Sequence, residues 1–410
     1  MTQELTPGKE TDTGTGAIAT SLFPAKPADG QSFIDRTEEH KRLTADISAA
    51  RSAWFDCPPR YGVNSLIEQV RGGMRYWRKP RITSTNYRLH TIHDTQSFCA
   101  AMLEGVGQLA SQTIRRPNVE AEIIDKLFVG VDMQIYLDEK HLQTIGFLAG
   151  RDPLKTLIQV TRDLDTIAGE HDCRSVYIVH DLQQILALRE SSRLLDTLHN
   201  IIDASKNATW LMQGNNRNAM HRLFLDEDAR LHGCCARFTL RPIKSSVYSQ
   251  YLADAAQSQW NCFIGRKATA MILALTERHP YWFNLLCRRL WSSDLPPVIQ
   301  DVVNEWLDLV RQQHHISSRQ MEHLSPNQRA VLRCLAETPT DQPRAKAFVA
   351  RTRVSSASVG QAIKILAEQD LVKLNPDGVW SVADPVMQWS LYPRTDIVDQ
   401  IYEKLPDLYL

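Results

Sequence analysis

The sequence has 410 residues, of which 43% are apolar and 23% charged, and its formal net charge is zero. The length predicts two or three globular domains, and the neutral balance argues against a protein whose whole surface binds nucleic acid. Eight cysteines without C-x-x-C spacing favour reduced thiols over a disulfide framework or a zinc site. No apolar run approaches the length of a membrane span. We therefore expect a cytoplasmic protein with no metal centre and no membrane contact.

The amino-terminal part of the chain predicts a leader and then a strand–loop–helix. Residues 1–30 are rich in Thr, Gly and Pro and poor in large apolar side chains, which predicts a disordered leader. A helix capped by Ser32 or Asp35 is expected next. The stretch 52–70 predicts a short buried strand, a tight loop and the start of an amphipathic helix. This is the layout of a phosphate-binding loop, G-x-x-x-x-G-K-[ST] between a strand and a helix.

Most of the fixed positions of such a loop are altered. Cys57 stands in place of the first Gly. Val63 and Asn64 replace the Lys and the Ser or Thr, and only Gly62 remains. A charge-assisted hydrogen bond contributes about 1.5–3 kcal/mol, so loss of the Lys predicts nucleotide binding weaker by about 10- to 150-fold. An ordinary strand–turn–helix with no phosphate role is the alternative. The candidate nucleotide contacts are Cys57, Pro58, Pro59, Arg60, Tyr61, Gly62, Val63, Asn64 and Ser65.

A basic and aromatic stretch follows the predicted helix. Between Arg71 and His93 there are six Lys or Arg residues and no acid, with Tyr76, Trp77 and Tyr87 among them. Interleaved cations and aromatic rings are one signature of single-stranded nucleic-acid contact. The alternative, which we favour, is that cations gather at a helix C-terminus because the helix dipole is favourable there.

The middle of the chain predicts an α/β domain. Residues 112–150 are interpreted as an insertion. The segments 173–180 and 208–213 are continuous apolar runs typical of buried parallel strands, and predicted helices lie around them. Strands that alternate with helices predict a doubly wound parallel sheet, with ligands at the carboxyl ends of its strands.

The last third of the chain predicts a helical region and a winged helix. Residues 247–313 are helical in pattern, and His314 and His315 have no partner spaced for a metal site, so we expect them on the surface. Residues 324–392 predict three helices and a β-wing, whose third helix could enter a major groove. Because this region has a net charge of only +2, contact with double-stranded DNA and contact with protein both remain open. The candidate contacts are Arg344, Lys346, Arg351, Arg353, Ser356, Ser358, Gln361 and Lys364.

Several short landmarks occur in the order found in one family. They include an F-I-D-R box before the first strand, the loop at 57–66, an H-P-Y triplet at 279–281 and a D-P-V-M-x-W ending at 384–389. With these, the chain resembles the archaeal-type ATPases, close to the STAND and origin-recognition branches of the AAA+ superfamily, over residues 33–391. The resemblance implies an AAA+-like doubly wound parallel sheet, a helical lid and a winged helix. The domains are then a leader 1–30, an NTPase-like α/β domain 31–245 with an insertion near 112–150, a lid 246–318, a winged helix 319–392 and a tail 393–410.

The departures from this family fall at chemical positions. His180 stands where the family has the Asp that orients the metal's water shell, and Cys234 replaces an Arg. Asp181 replaces the catalytic Glu and is the candidate for residual catalysis, while Gln213 and Asn215 lie at the sensor strand. The resemblance therefore implies that ATP or ADP binds weakly or not at all and that Mg²⁺ is poorly held.

These patterns lead to one functional hypothesis and two alternatives. The hypothesis is a pseudo-ATPase that acts as a regulatory or scaffold subunit, with a protein partner or a second copy of itself. The first alternative is an ATP-binding protein of a mobile-element or defence system, with residual or partner-completed hydrolysis. The second is a DNA-binding regulator that dimerises through its ATPase-like domain.

Overall fold

The structure is a computed structural model that describes residues 19–28, 30–114, 126–129, 131–135, 143–147, 152–375 and 377–404. The chain divides into two compact units. The sheet unit comprises residues 37–59 and 66–240, and the helical unit comprises residues 1–36, 60–65 and 241–410. The predicted phosphate loop is thus divided, because 57–59 belong to the sheet unit and 60–65 to the helical unit.

The sheet unit is built on a five-stranded parallel sheet. Its strand order is β2-β5-β6-β1-β7. The predicted doubly wound parallel sheet is confirmed. The strands are β1 (Ala53–Phe55), β2 (Arg81–Arg88), β5 (Cys173–His180), β6 (Ala208–Met212) and β7 (Ala236–Phe238), and the antiparallel pair β3 (Val131–Ile135) and β4 (Gln143–Phe147) lies within the predicted insertion. The helices are α1 (Thr37–Ser48), α2 (Val63–Met74), α3 (Thr95–Ile114), α4 (Pro153–Glu170), α5 (Ser191–Ala204) and α6 (Arg217–Phe224).

Three stacked aromatic rings tie three neighbouring strands of the sheet to α3. Tyr87, Tyr177 and Trp210 stand side by side on β2, β5 and β6, with ring centroids 6.1 Å and 4.0 Å apart and nearly parallel planes. The hydroxyl of Tyr87 donates to the carbonyl of Met102 in α3. Opposite the Tyr87 ring, α3 carries Gly105, where a Cβ would lie 2.4 Å from that ring. A glycine here lets the helix approach the aromatic row.

Side chains cover backbone groups on both outer strands of the sheet. On β2, the amide of Gln112 accepts from the N–H of Ser84 and donates to its carbonyl, at 3.0 Å and 3.1 Å. On β7, the guanidinium of Arg42 donates to the carbonyl of Arg237 at 2.8 Å. Unpaired backbone groups on an edge strand can template pairing with another chain, and these contacts occupy some of them.

The helical unit contains the residues of the predicted lid and a buried amino-terminal segment. Its first helices are α7 (Ser245–Trp260), α8 (Arg266–Leu275), α9 (Pro280–Leu290) and α10 (Ile299–Glu322). Phe23 is fully buried among them, and its ring contacts those of Tyr251, Phe283 and Trp291. The prediction of a disordered leader over 1–30 is therefore wrong for residues 19–28. Although the segment is mainly polar, the buried ring of Phe23 holds it against the helices. Residues 1–18 lie outside the described residues.

A winged helix follows α10 in the same unit, as predicted. Its elements are α11 (Pro326–Glu337), α12 (Lys346–Thr352), α13 (Ser356–Glu368), β8 (Val372–Leu374), β9 (Trp380–Val382) and α14 (Pro385–Leu391). Ser325 and Ser355 cap α11 and α13 by accepting from backbone N–H groups. The predicted tail contains a helix, α15 (Thr395–Lys404), whose Val398 and Ile401 pack against the lid core.

The lid and the winged helix are joined by Asp384. Its carboxylate caps α14 by accepting from the N–H groups of Val386 and Met387, and it also accepts from the indole of Trp282 in α9 at 3.0 Å. Nearby, Trp306 of α10 and Trp389 of α14 meet edge to face. The H-P-Y and D-P landmarks of the sequence are thus parts of one packed joint.

The contrast between two glycines of α3 tests the aromatic row. We expect Gly105→Ala to lower the free energy of unfolding by about 1–3 kcal/mol, because the new methyl overlaps a buried Tyr87 ring that has no room to move. Gly107→Ala is the matched control, since its Cβ would make only an ordinary contact, and we expect a gain of about 0.5–1 kcal/mol from helix propensity. Urea unfolding of both variants measures this. Equal effects would contradict the close approach at Gly105.

Candidate functional site

The predicted phosphate loop is fastened to other parts of the helical unit. Arg60 and Gly62 both have positive φ, at 59° and 98°. α2 then begins at Val63. The hydroxyl of Ser65 accepts from the backbone N–H of Ala28 at 2.9 Å. Ser65, one position after the Asn64 that replaces the Ser or Thr of such a loop, is therefore engaged with the buried amino-terminal segment.

A buried arginine holds the main chain of this loop. The guanidinium of Arg36 donates to the carbonyl of Tyr61 at 3.2 Å and to the carbonyl of Arg241, and it lies 5.5 Å from the centroid of the Tyr61 ring. Arg36 is only 5% exposed. The F-I-D-R landmark therefore acts on the loop through backbone hydrogen bonds.

The tip of the loop contacts the H-P-Y landmark. The guanidinium of Arg60 lies 4.5 Å from the ring centroid of Tyr281, and the ring of Tyr61 meets that of His279 edge to face at 5.4 Å. Cation–π contacts of this kind contribute about 0.5–1 kcal/mol at exposed sites. The loop and α9 are thus joined by side chains of the protein itself.

A small cavity lies beside the loop among the described residues of this unit. Its volume is about 50 Å³, and its walls include Phe33, Gly62, Tyr248 and Asn284. Ligand pockets usually have about 300–1,000 Å³. As it stands, the cavity is therefore too small to hold a nucleoside.

In the sheet unit, Asp181 lies in a cluster of polar side chains at the carboxyl end of β5. Its carboxylate accepts from the amide of Asn215 at 3.2 Å and lies 3.7 Å from Nδ1 of His90. The Asn215 side chain in turn accepts from Gln183 at 2.6 Å. The structure thus brings together two residues that the sequence singles out, Asp181 and the sensor candidate Asn215.

His180 and Gln213, which lie at the carboxyl ends of β5 and β6 close to Asp181 in the sequence or the sheet, carry neutral side chains. His180 shares a 3.2 Å hydrogen bond between its Nε2 and Oδ1 of Asn86. Burial, with the nearby charge of Arg88, lowers the pKa of His180. The side-chain nitrogen of Gln213, the other sensor candidate, is buried and has no hydrogen-bond partner among the described residues. The position of the metal-side carboxylate is therefore filled by a neutral imidazole.

The residues present do not match the needs of a nucleotide phosphate with Mg²⁺. Such a site uses a Lys ammonium, a hydroxyl on the metal and a metal-side carboxylate. Here Val63 has no charge, the Ser65 hydroxyl bonds to Ala28 and His180 offers no anionic oxygen. The described residues contain no group of three or more His, Cys, Asp or Glu placed to bind a metal ion.

Asp56, directly before the loop, is a residue that sequence analysis missed. Its side chain is fully buried and accepts from His221 at 3.0 Å, from Arg237 at 2.7 Å and from Arg217. Burial acts to raise the pKa of Asp56, but the hydrogen bonds from His221, Arg217 and Arg237 and the charge of Arg217 hold it well below its usual range. The sequence does contain a signal for this residue, because Asp56 is a charged residue directly after the apolar strand Ala53–Phe55.

The predicted winged-helix contacts lie at or near the surface. Two of the arginines are engaged within the domain. Arg351 pairs with Glu337 at 2.6 Å, and the guanidinium of Arg344 lies against the backbone of Gly360 in α13.

The remaining cations of this surface are more available. Lys346, Arg353 and Lys364 are exposed and have no ion pair among the described residues. Ser356 and Gln361 are also exposed on α13, while Ser358 is half-buried and bonds to the capping hydroxyl of Ser355. The face offers three free charges to a partner.

Residues 75–80 of the basic and aromatic stretch form a largely exposed turn after α2, whereas its Tyr87 is buried in β2. Tyr76 is 83% exposed, and Arg75 and Arg78 are also exposed. Lys79 lies 3.5 Å from Asp172, and Arg71 pairs with Glu68. Both interpretations of this stretch stay predictions.

Comparisons with known proteins agree with this architecture. A family model described as a probable winged helix domain matches residues 317–392. The structure is similar to that of a Walker-type ATPase of Pyrococcus abyssi, at 15% identity over 90% of this chain and 99% of that chain, with a TM-score of 0.64. It is also similar to the ORC2 protein of Aeropyrum pernix in its ADPNP-ADP complexes, at 13% identity over 91% and 96%, with a TM-score of 0.50. No match was found among curated proteins.

These likenesses confirm, at the level of the fold, the resemblance to archaeal-type AAA+ ATPases with a C-terminal winged helix. In the part of the chain that the structure describes, no helix is long and apolar enough to cross a membrane.

The pH dependence of stability tests the Asp56 cluster. The carboxyl of an unfolded chain titrates near pH 3.9, and the folded carboxyl titrates lower, so its stabilising effect is present above about pH 4 and is lost as the pH falls. We expect Asp56→Asn to lower the free energy of unfolding by about 3 kcal/mol at pH 7, because it leaves partly buried cations without their anion.

The same measurement should show this difference shrinking below about pH 4. Asp196→Asn, which breaks an exposed pair with Arg230, is the control and should cost less than about 1 kcal/mol. A difference for Asp56→Asn that stays constant with pH would contradict the assignment.

Proposed function

We propose that this protein is a pseudo-ATPase, a regulatory or scaffold subunit that keeps an AAA+-like fold and uses its loop as a structural joint. The observation that supports this most directly is the loop itself. Its main chain is held by Arg36, its tip lies on Tyr281 and His279, and its hydroxyl is bonded to Ala28. The side chains of Arg60, Tyr61 and Ser65 are here engaged with other parts of the protein.

The sheet unit supports the same proposal independently. Phosphoryl transfer depends mostly on positioning and on charge neutralisation. Asp181 keeps a carboxylate, but that carboxylate accepts from Asn215, and the preceding position is a His of lowered pKa. Val63 and His180 thus supply no charge at the positions where the family has a Lys and an Asp.

A titration with a fluorescent ATP analogue, with and without Mg²⁺, tests the loss of binding. We expect no saturable binding at micromolar concentrations and no effect of Mg²⁺. Val63→Lys with Asn64→Thr restores the ammonium and the hydroxyl, and we expect affinity to rise by about 10- to 150-fold. Val63→Gln with Asn64→Thr is the matched control, because it adds the hydroxyl without the charge.

The alternative of residual hydrolysis makes the opposite prediction. If the wild-type protein hydrolyses ATP and Asp181→Ala abolishes that activity, the pseudo-ATPase proposal is wrong. Micromolar binding that requires Mg²⁺ would also contradict it.

DNA contact through the winged helix is a second candidate function. It is favoured by the exposed and unpaired cations Lys346, Arg353 and Lys364 around α13. In a helix-turn-helix fold such cations hold phosphates while the third helix faces the bases.

Charge reversal tests this candidate. We expect Arg353→Glu with Lys364→Glu to weaken binding of a fluorescent 20-bp duplex by at least about tenfold and to flatten its salt dependence, because two phosphate contacts are removed. Arg351→Gln serves as the comparison, since Arg351 already pairs with Glu337, and it should change affinity less. An unchanged affinity in the double variant would remove DNA contact through this face.

A further inference from the structure

A groove in the helical unit is separate from the phosphate-loop region and from the α13 surface of the winged helix. Its volume is about 550 Å³, within the range of about 300–1,000 Å³ that is typical of ligand sites. Its walls come from the carboxyl-terminal half of α10, from α11 and from the end of α14. α13, the helix expected to meet DNA, contributes no lining residue. A duplex bound through α13 would therefore not occupy this groove.

The charge of the groove is mainly positive. Arg329 and Arg333 are four residues apart on α11, so they lie on one face of that helix, and both line the groove. Neither has an ion pair among the described residues. Glu322 is the acidic residue of the lining, and it is exposed and not paired with either arginine in the described structure. Two guanidinium groups are thus available to an anion.

Hydroxyl and imidazole groups complete the polar lining. Ser317 is 6% exposed at the wall formed by α10, and His314 shares a 3.2 Å hydrogen bond with Ser318. The hydroxyl of Ser390 is buried and has no hydrogen-bond partner in the described part of the chain. Native proteins seldom leave a buried hydroxyl unpaired.

We propose that this groove binds an acidic segment of a partner protein. Carboxylates are received by Arg329 and Arg333, the two unpaired cations of the lining. Positions four apart on a helix lie about 5–6 Å from each other, close to the spacing of alternate side chains along an extended chain. An extended peptide with acidic residues at alternate positions fits both arginines at once. This inference does not depend on the state of the nucleotide site.

Fluorescence anisotropy with a labelled peptide of eight glutamates, added to the full-length protein at low salt, tests the proposal. We expect saturable binding, and at least about tenfold weaker binding by Arg329→Glu with Arg333→Glu, because each charge-assisted contact is lost. Arg353→Glu with Lys364→Glu makes the same change in net charge on the α13 surface and should leave the affinity unchanged. A peptide of eight glutamines should not bind.

A second variant separates loss of the site from loss of the fold. Ser318→Tyr fills the groove without changing its charge, and it should also weaken peptide binding. Thermal unfolding and duplex binding should stay at the wild-type level in that variant.

Three results would overturn the proposal. One is that wild-type protein does not bind the glutamate peptide. Another is that both charge-reversal pairs weaken the peptide equally, which would mean diffuse attraction without a site. The last is that reversal at Arg329 and Arg333 abolishes duplex binding and leaves peptide binding intact, which would make the groove a nucleic-acid surface.

Discussion

The path of the main chain in the loop region depends on the hydrogen bonds of the buried Arg36 guanidinium. A guanidinium has five N–H donors and cannot lose its charge, so a buried one must be satisfied by oxygens or other electron-rich groups. Arg36 meets this need with the carbonyls of Tyr61 and Arg241 and with the face of the Tyr61 ring. These contacts hold the main chain of the loop without using the side chains of Val63 and Asn64. The fold can therefore persist while the chemistry at those positions changes.

The landmarks that carry the family resemblance are joints between parts of the helical unit. Asp384 caps a helix and accepts from Trp282, Arg36 holds the loop, and Tyr281 lies under Arg60. Each side chain is fixed by a partner from a distant part of the sequence, so changing one leaves the other unsatisfied. These landmarks therefore depend on contacts within the protein, whatever the state of the nucleotide site.

The sequence predicts features that depend on local pattern and misses those that depend on distant partners. The buried strands, the winged helix and the missing ammonium of the loop all follow from runs of a few residues. The burial of Phe23 does not, because its partners lie more than 200 positions away in the lid. The partners of Asp56 likewise come from α6 and β7. The Ser65 hydroxyl was recognised, but its bond to Ala28 depends on a segment whose composition predicts disorder.

The covered edges of the sheet restrict how this protein can assemble with others. Gln112 occupies both backbone groups of Ser84 on β2, and Arg42 occupies a carbonyl of β7. A strand of another molecule would have to displace these side chains before it could pair here. The hydrogen bonds that it formed would replace the existing ones, so the net gain would be small. Sheet extension from one molecule into the next is thus discouraged at both ends. At these positions, contact with another molecule is therefore favoured through side chains over strand pairing.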